Sequence, residues 1–424
     1  MAMGSRKNRR KKAPRSQQLG QHLLSLPKDS LPGQAQQCYA IGVELIERQQ
    51  FHRAVSALKR AVELDPGSAP SWTELAFALG SAERLIDAHA AYARALELMP
   101  AVANIAARFG EMLVNCGATD EATAYLRRAI QLDPNCFAAH AQLCWVARIQ
   151  GDKDAAISHG ERAFDNHGDE VAGFYLALAY LAQDRFADAL RVCDALLRSN
   201  PRSVRALTLK VSALNGLGRR AEGTGLADFE RFVWSAEIRA PAPYRDLKNF
   251  NAELAKLVMR YPGRPHDPSQ TLNIFDQPEP AARALAGVVS DAVSHYLNNL
   301  PNADSHVFLS NQPPNFTAEA WGTRLERYAD AEHHFHQHAW ISGVYYVELP
   351  EFVRTTNPAD LDGCLEFCRF HSYSDNAVES DTMVIRPEPG LLVLFPAYAY
   401  HRVLKFQRPG RRISIAFNLL PSDT

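Results

Sequence analysis

The sequence predicts a multidomain protein in which an all-α solenoid of helical repeats precedes a domain built mainly from β-strands. A 34-residue period of small and apolar residues runs through the first part of the chain. Runs of β-branched and aromatic residues dominate the last part. Pro241 and Pro243 interrupt the helical pattern, so we place the repeats at 35–235 and the strand domain at 236–424. A length of 424 residues with 46% hydrophobic content suffices for two cores.

Each predicted repeat is a pair of helices that meet through small side chains. Pro66, Pro100 and Pro134 end successive repeats at a spacing of 34 residues. Two alanine series and one series of larger apolar residues follow the same spacing: Ala54, Ala88, Ala122 and Ala156; Ala61, Ala95, Ala129 and Ala163; Leu58, Tyr92 and Leu126. The unit near 170–203 is shorter by about one residue. A stack of roughly five to six units buries the apolar face that one pair leaves exposed.

These positions resemble those of tetratricopeptide repeats. The resemblance implies that the first helix of each repeat lines a concave surface. By register, six side chains should face it: Phe77, Asn104, Arg108, Glu111, Trp145 and Arg148. The alternative for each is an ordinary solvent-facing or packing residue. A protein or peptide is the expected partner of this groove.

Residues 1–34 form a basic lead-in, and the chain lacks the marks of a secreted or membrane protein. A cluster of seven cationic residues opens it: Arg6, Lys7, Arg9, Arg10, Lys11, Lys12 and Arg15. No apolar segment follows them, so we expect a disordered tail with at most weak nucleic-acid or anionic-surface binding. No stretch approaches the roughly 18 apolar residues of a membrane span. Seven scattered cysteines give no disulfide framework, and we expect a cytoplasmic protein in which Cys364 and Cys368 are small buried residues.

Three separate segments of the second domain carry residues suited to a metal site and a carboxylate anchor. His333, His334, His336 and His338 precede a strand-like run, and alternation lets either His334 and His336 or His336 and His338 bind one ion. A third ligand is expected from a distant strand, where His401 closes a second such run.

The anchor is predicted eleven residues further on. Arg412 lies two residues before Ser414, and a guanidinium beside a hydroxyl suits a carboxylate. Arg411 points to the opposite face of the same strand, so only one of the two arginines can be the anchor. Tyr345 and Tyr346 also face opposite ways, and alternation does not say which one lines the pocket.

This order of residues resembles the Fe(II)- and 2-oxoglutarate-dependent oxygenases, above all bacterial proteins in which tetratricopeptide repeats precede such a domain. The matching residues are His334, His336, Trp340 to Gly343, Tyr345 to Val347, Arg386 to Gly390, Leu394 to Pro396, His401 and Arg412. The resemblance implies a double-stranded β-helix with buttressing helices. It also implies that His334, His336 and His401 hold Fe(II), while Arg412, Ser414 and Tyr346 bind 2-oxoglutarate.

One position departs from the family pattern. The usual oxygenase triad has two histidines and a carboxylate, and His336 stands where the carboxylate is expected. Iron would then have three neutral ligands, unless water or a carboxylate such as Asp330 or Glu332 completes the site. A register using His336 and His338 stays open, although we favour His334 and His336.

The sequence therefore predicts a 2-oxoglutarate-dependent dioxygenase, a hydroxylase of a protein or peptide that the repeats recruit. Two alternatives remain. One is a repeat-based interaction protein whose oxygenase domain binds metal without turnover, and the other is a three-histidine cupin-like dioxygenase that acts without 2-oxoglutarate.

Overall fold

The computed structural model describes residues 31–164, 169–261, 273–301, 306–326, 331–354, 357, 359–369, 373, 381–405 and 408–422. The chain divides into two compact units, Met1–Asp165 and Asn166–Thr424. The basic cluster at residues 6–15 lies outside the described residues. Within the described ranges, no helix is both long and apolar enough to cross a membrane. All seven cysteines are free, and Cys364 and Cys368 are buried as predicted.

Helices in pairs form the described part of the first unit. They are α1 (Leu31–Glu47), α2 (Phe51–Leu64), α3 (Ala69–Ser81), α4 (Leu85–Leu98), α5 (Ala103–Asn115), α6 (Thr119–Leu132), α7 (Phe137–Ile149) and α8 (Lys153–Phe164). The predicted small residues lie at the helix contacts, where Ala54, Ala88 and Ala122 are fully buried. The helical repeat region predicted from the 34-residue period is therefore confirmed.

Glycine permits the tightest of these contacts. A Cβ atom on Gly42 would lie 2.4 Å from Cγ of Leu58, and one on Gly110 would lie 2.6 Å from Cγ of Leu126. The two contacts are equivalent because each residue recurs after two 34-residue periods. Any side chain at these glycines would push the paired helices apart.

A residue with left-handed backbone conformation follows the first helix of each repeat. Such residues have φ between 55° and 79°, and they are Gln49, Glu83, Gly117, Gly151, Asp184 and Gly218. Their spacing is 34 residues, except for 33 residues between Gly151 and Asp184. This difference confirms the predicted shortening of one repeat. The left-handed residue ends the helix by allowing its last carbonyl groups to be satisfied.

The second unit contains the last repeat helices and all of the described strands. Its helices are α9 (Glu170–Leu181), α10 (Phe186–Ser199), α11 (Val204–Gly216), α12 (Arg220–Leu226), α13 (Phe229–Phe232), α14 (Leu247–Arg260), α15 (Pro280–Asn299) and α16 (Val307–Ser310), with 3-10 turns at Ile274–Asp276 and Glu351–Arg354. The predicted boundary at 235/236 follows the sequence repeat, whereas packing joins the last repeats to the strands. That boundary stays a prediction.

The strands form two antiparallel sheets. They are β1 (Trp234–Glu237), β2 (Asn315–Leu325), β3 (Ala331–His334), β4 (Ile341–Glu348), β5 (Leu365–Cys368), β6 (Thr382–Ile385), β7 (Leu391–Pro396), β8 (Tyr400–Val403) and β9 (Arg412–Ser422). The five-stranded sheet has the order β1-β7-β4-β9-β2, and the four-stranded sheet has the order β3-β8-β5-β6. Two antiparallel sheets are consistent with the predicted double-stranded β-helix.

The two faces of the five-stranded sheet have different neighbours. On the outer face, the Tyr345 hydroxyl donates to Oδ1 of Asn251 in α14 at 2.7 Å. A Cβ atom on Gly322 would lie 2.6 Å from Val258 of the same helix, which shows how closely α14 packs there. Residues of opposite parity, such as Arg412 and Ser414, lie on the inner face and are almost fully buried.

Repeat helix α11 packs against segments next to the four-stranded sheet. The Thr208 hydroxyl donates to the carbonyl of Tyr398 at 3.0 Å, and the Asn215 amide donates to the carbonyl of Arg369 at 2.9 Å. These buried or partly buried bonds explain why the last repeat belongs to the same compact unit as the strands.

Candidate metal centre

Three histidines from two neighbouring strands and one loop form a cluster. One ring nitrogen from each of His334, His336 and His401 lies within 4.8 Å of the others. His334 and His401 are register partners in the β3–β8 pair, with ring centroids 4.4 Å apart. His336 completes the cluster, with centroid distances of 5.3 Å to His334 and 5.2 Å to His401. This spacing allows the three imidazoles to bind a single ion.

The local structure differs in two ways from the predicted strands. Strand β3 ends at His334, and His336 lies in the following loop, where its N–H donates to the carbonyl of Ala397 at 3.0 Å. The run that ends at His401 is not one strand, because a turn after Pro396 separates β7 from β8. This turn carries the chain from one sheet to the other, which brings His401 beside His334.

His338 lies outside the cluster. It is exposed, two residues beyond His336 in the turn that precedes β4. His334 and His336, rather than His336 and His338, therefore share the cluster with His401.

Burial favours the neutral form of two of these imidazoles, His336 and His401. Burial and the His334 ring lower the pKa of His336 to about 3. Burial and the two neighbouring imidazoles hold the pKa of His401 well below its usual range. Nδ1 of His401 donates to the carbonyl of Ala399 at 2.8 Å, which directs the lone pair of Nε2 towards a ligand. Neutral imidazoles are the form that binds metals.

No carboxylate joins the cluster among the residues that the structure describes. Asp330 and the side chain of Glu332 lie outside those residues, so their predicted approach stays a prediction. Glu366 lies on β5 beside β8 but points away from the cluster, because it binds Arg402 at 2.5 Å. Its neighbour Phe367 instead faces His401, with ring centroids 5.9 Å apart.

Arg412 is buried in the same interior without a counter-charge. Its side chain is fully enclosed, and Nη1 donates to the Ser414 hydroxyl at 3.2 Å. The guanidinium carbon lies 5.0 Å from the ring centroid of Tyr346. Nε of Arg412 has no hydrogen-bond partner, and no ion pair to Arg412 exists within the described part of the chain. A buried charge of this kind costs free energy unless an anion pairs with it.

The structure separates the two ambiguous residue pairs. Arg411 is exposed and pairs with Glu348 at 2.8 Å, whereas Arg412 is buried. Tyr346 lies under the Arg412 guanidinium, whereas Tyr345 faces α14 on the outer side of the sheet. Both results follow from strand alternation once one inner-face residue is known.

Aromatic residues enclose the cluster from the five-stranded sheet. The Phe395 ring centroid lies 4.7 Å from that of His401, and the Trp321 centroid lies 5.9 Å from that of His336. Both residues occupy the inner face, like Arg412. The histidine cluster and the buried guanidinium therefore face one shared interior.

Sequence reasoning missed three polar residues on this inner face. The Ser342 hydroxyl donates to Oδ1 of Asn418 at 2.8 Å, and Nδ2 of Asn418 donates to Oε1 of Glu319 at 3.1 Å. Ser342 and Asn418 are almost fully buried. A usable signal was present, since Asn418 has the same strand parity as Arg412 and Ser414.

Comparison with known families agrees with this architecture. Residues 319–418 match the family model described as "Putative 2OG-Fe(II) oxygenase". Models of the tetratricopeptide repeat match residues 35–68, 103–136 and 175–223. The chain therefore carries tetratricopeptide repeats followed by a C-terminal segment that is similar to this oxygenase family. The matched oxygenase segment contains the three clustered histidines, Arg412 and Ser414.

Curated relatives are similar to about a fifth of this chain. Human tetratricopeptide repeat protein 21A is 27% identical over 84 residues, which is 19% of this chain and 6% of that protein. Tetratricopeptide repeat protein 21B of Xenopus laevis is 30% identical over 94 residues, which is 22% of this chain and 7% of that protein. The matched region thus spans well under a tenth of either relative.

Solved structures are similar to part of the chain. One, from the functional characterization of Pseudomonas aeruginosa pilF, has 18% identity and a TM-score of 0.43, and the match covers 47% of this chain and 92% of that one. Another is YrrB, described as a tetratricopeptide-repeat protein with an unusual peptide-binding site. It has 21% identity and a TM-score of 0.32, with 44% of this chain and 94% of that one covered.

Proposed function

We propose that the protein is an Fe(II)- and 2-oxoglutarate-dependent oxygenase that hydroxylates a protein or peptide. The observation that carries this proposal is the buried, unpaired guanidinium of Arg412, which shares an interior with a three-histidine cluster. The cluster alone would fit many metalloproteins. A dicarboxylate that reaches from the metal to Arg412 explains both features.

The donor atoms fit the implied ion and cosubstrate. His334, His336 and His401 would hold Fe(II), since imidazole nitrogen is a good ligand for that ion. When bound, ferrous iron supplies the redox chemistry that couples oxidative decarboxylation of 2-oxoglutarate to hydroxylation of a C–H bond. Nε and Nη groups of Arg412 would pair with the distal carboxylate of 2-oxoglutarate.

The chain's own residues position the cosubstrate and keep water out. Ser414 bonds Arg412 and so limits the orientation of the guanidinium. The Tyr346 ring supports the guanidinium from one side. Phe395 and Trp321 shield His401 and His336 on the side of the five-stranded sheet. A dry, preorganised pocket strengthens charge pairing within it.

The repeats would recruit the substrate. On the first helices of the first unit, the Arg108 guanidinium lies 5.1 Å from the ring centroid of Phe77. Arg148 lies 4.3 Å from the ring centroid of Trp145. All four residues are partly or fully solvent-exposed. Arginine stacked on an aromatic ring is frequent at protein-binding surfaces, which supports a protein or peptide as the ligand.

An anaerobic titration tests the proposed function. Full-length protein should develop a weak visible charge-transfer band only when both Fe(II) and 2-oxoglutarate are added. Succinate should then form when dioxygen is admitted. If correctly folded protein does not develop the band, 2-oxoglutarate does not bind as proposed, and the proposal is rejected.

The all-imidazole ligand set supports a second candidate, a three-histidine dioxygenase that does not use 2-oxoglutarate. The same titration distinguishes it, because Fe(II) would bind while 2-oxoglutarate changed nothing. A domain that binds both ligands without turnover would show the band but form no succinate. Arg412 favours the first function over the second, since only 2-oxoglutarate gives its charge a partner.

A further inference from the structure

A polar chain crosses the inner face of the five-stranded sheet next to the histidine cluster. Ser342, Asn418 and Glu319 are register partners on β4, β9 and β2. The Ser342 hydroxyl donates to the Asn418 amide oxygen at 2.8 Å. The Asn418 amide nitrogen donates to Glu319 at 3.1 Å. Burial of a polar group costs free energy unless the group is hydrogen-bonded. In this row of three side chains, each one bonds to the next.

The hydrogen-bond chain sets the position of the Glu319 carboxylate. An ionised carboxylate only accepts hydrogen bonds, so the Asn418 amide nitrogen must face Glu319 and its oxygen must face Ser342. Only Oε1 of Glu319 receives this bond. Within the described residues, Glu319 forms no ion pair. Its second oxygen is therefore available to a ligand.

Glu319 lies near the histidine cluster on the inner face of the five-stranded sheet. Its next inner-face neighbour along β2 is Trp321, whose ring lies 5.9 Å from that of His336. Burial lowers the pKa of His338 in the loop after the cluster, and the nearby Glu319 charge opposes that shift. Glu319 is half-buried, so a ligand can reach it from solvent.

Two other charged groups, Glu170 and Arg205, act on His338, and each already has a hydrogen-bond partner. Glu170 accepts a hydrogen bond from the Ser203 hydroxyl at 2.7 Å. Nε of Arg205 donates to Oε1 of Gln337 at 2.7 Å, and its guanidinium lies 5.6 Å from the Phe174 ring centroid. Glu319 differs from both because its sole described partner is a neutral amide behind it.

We propose that Glu319 recognises a cationic side chain of the substrate, an ammonium or guanidinium group, near the histidine cluster. This inference rests on the proposed function and assigns its substrate class. A basic residue of a peptide would place its charged nitrogen against the free oxygen of Glu319. The adjoining carbons of that residue would then lie towards the metal ligands. Glu319 is thus a specificity-determining residue.

Binding of defined peptides tests the proposal. The probes are capped, fluorophore-labelled random peptides whose central residue is Lys, Arg, Gln or Glu. Full-length protein is loaded with Mn(II) and 2-oxoglutarate, and fluorescence anisotropy gives the affinities. Peptides with Lys or Arg should bind roughly tenfold more tightly than those with Gln, as expected for one charge-assisted hydrogen bond.

Matched variants assign the preference to Glu319. Glu319→Gln keeps an acceptor for Asn418 but removes the charge, so it should abolish the preference. Glu319→Lys should favour peptides with Glu, a gain that misfolding does not produce. Glu326→Gln is the control, because Glu326 is exposed at the end of β2 and pairs with Arg324. That variant should bind like the wild type.

Three results would overturn the inference. They are equal wild-type affinity for Lys, Arg and Gln peptides, a preference for Glu peptides, and an unchanged preference in Glu319→Gln. Calorimetry of 2-oxoglutarate on the same samples separates this inference from the proposed function. A Glu319-dependent cation preference without 2-oxoglutarate binding would reject the function alone. Binding of 2-oxoglutarate without the preference would reject this inference alone.

Discussion

At the residue scale, one strand shows how alternation separates neighbouring residues of like chemistry. Arg411 and Arg412 are adjacent, yet the first is exposed and paired with Glu348 while the second is enclosed above Tyr346. The physical reason is the two-residue period of a strand, which directs successive side chains to opposite faces. The two arginines therefore form a natural pair of test and control.

We expect Arg412→Ala to weaken 2-oxoglutarate binding by at least roughly thirtyfold, while Arg411→Ala changes it little. Losing one partner of a buried charged pair costs about 2–5 kcal/mol, and about 1.4 kcal/mol corresponds to a tenfold change. A surface pair contributes less than about 1 kcal/mol. Calorimetry with Mn(II) in place of iron measures both affinities. Similar values for the two variants would remove Arg412 from the cosubstrate site.

The three clustered histidines predict the effect of removing each ligand. His401→Ala and His336→Ala should both lose stoichiometric Fe(II), because two neutral imidazoles hold the ion weakly. His338→Ala should retain it, since His338 is exposed outside the cluster. Metal analysis after anaerobic gel filtration gives the iron content. Iron loss in His338→Ala with retention in His334→Ala would shift the ligand pair by two residues.

At the element scale, helix α11 contacts two segments that adjoin the clustered histidines. Arg205 binds Gln337, the residue after His336, at 2.7 Å. One helical turn later, Thr208 binds the carbonyl of Tyr398, three residues before His401, at 3.0 Å. Helix α11 therefore contacts both the loop after β3 and the turn before β8, the segments next to the clustered histidines.

We expect Thr208→Val to lower metal affinity several-fold, because the buried carbonyl of Tyr398 loses a donor worth about 1 kcal/mol or more. Asn215→Ala is the matched control. It removes a comparable bond to the carbonyl of Arg369 on the same helix, away from the ligand segments. Both variants should lose thermal stability, but only the first should change Mn(II) binding. Equal effects on Mn(II) binding would show that α11 acts only through general stability.

At the scale of the whole molecule, buried histidines link stability to pH. Burial lowers the pKa of His140, His159 and His306 from the usual value of 6.5. His140 and His159 share a hydrogen bond of 2.9 Å between their Nδ1 atoms, which requires that at least one ring be neutral. Each unit thus contains neutral histidines that protonate more readily once the chain unfolds.

The free energy of unfolding should fall as pH decreases below about 6.5. In that range the unfolded chain binds protons that the folded chain does not, and stability decreases wherever this holds. The loss should stop below the lowered pKa values of the folded state. Urea denaturation of metal-free protein from pH 7.5 to pH 5 measures how the free energy of unfolding changes with pH. Each histidine should contribute a total loss of roughly 1.4 kcal/mol per unit by which folding lowers its pKa. The double variant His140→Gln and His159→Gln should have a smaller slope, and an unchanged slope would contradict this origin.

Much of the molecule could be predicted from local sequence pattern. The 34-residue period identified the helical repeats, because small residues recur wherever two helices must approach closely, as at Ala54 and Ala88. The order of His334, His336, His401 and Arg412 identified the second domain. These features depend on periodicity and spacing along the chain, which the amino-acid sequence determines without knowledge of distant contacts.

Only the tertiary structure decided which residues meet across the sheets, and which meet between repeat helix α11 and the segments next to the four-stranded sheet. Sequence alternation separated Tyr345 from Tyr346, but the choice of pocket face required α14 to cover one side. The turn after Pro396, the contacts of α11 and the Ser342–Asn418–Glu319 chain all join segments that are far apart in sequence. Such contacts depend on how whole helices and strands pack against one another. The periodicity of the sequence predicts which face of each element is buried, but it does not predict which other element covers that face.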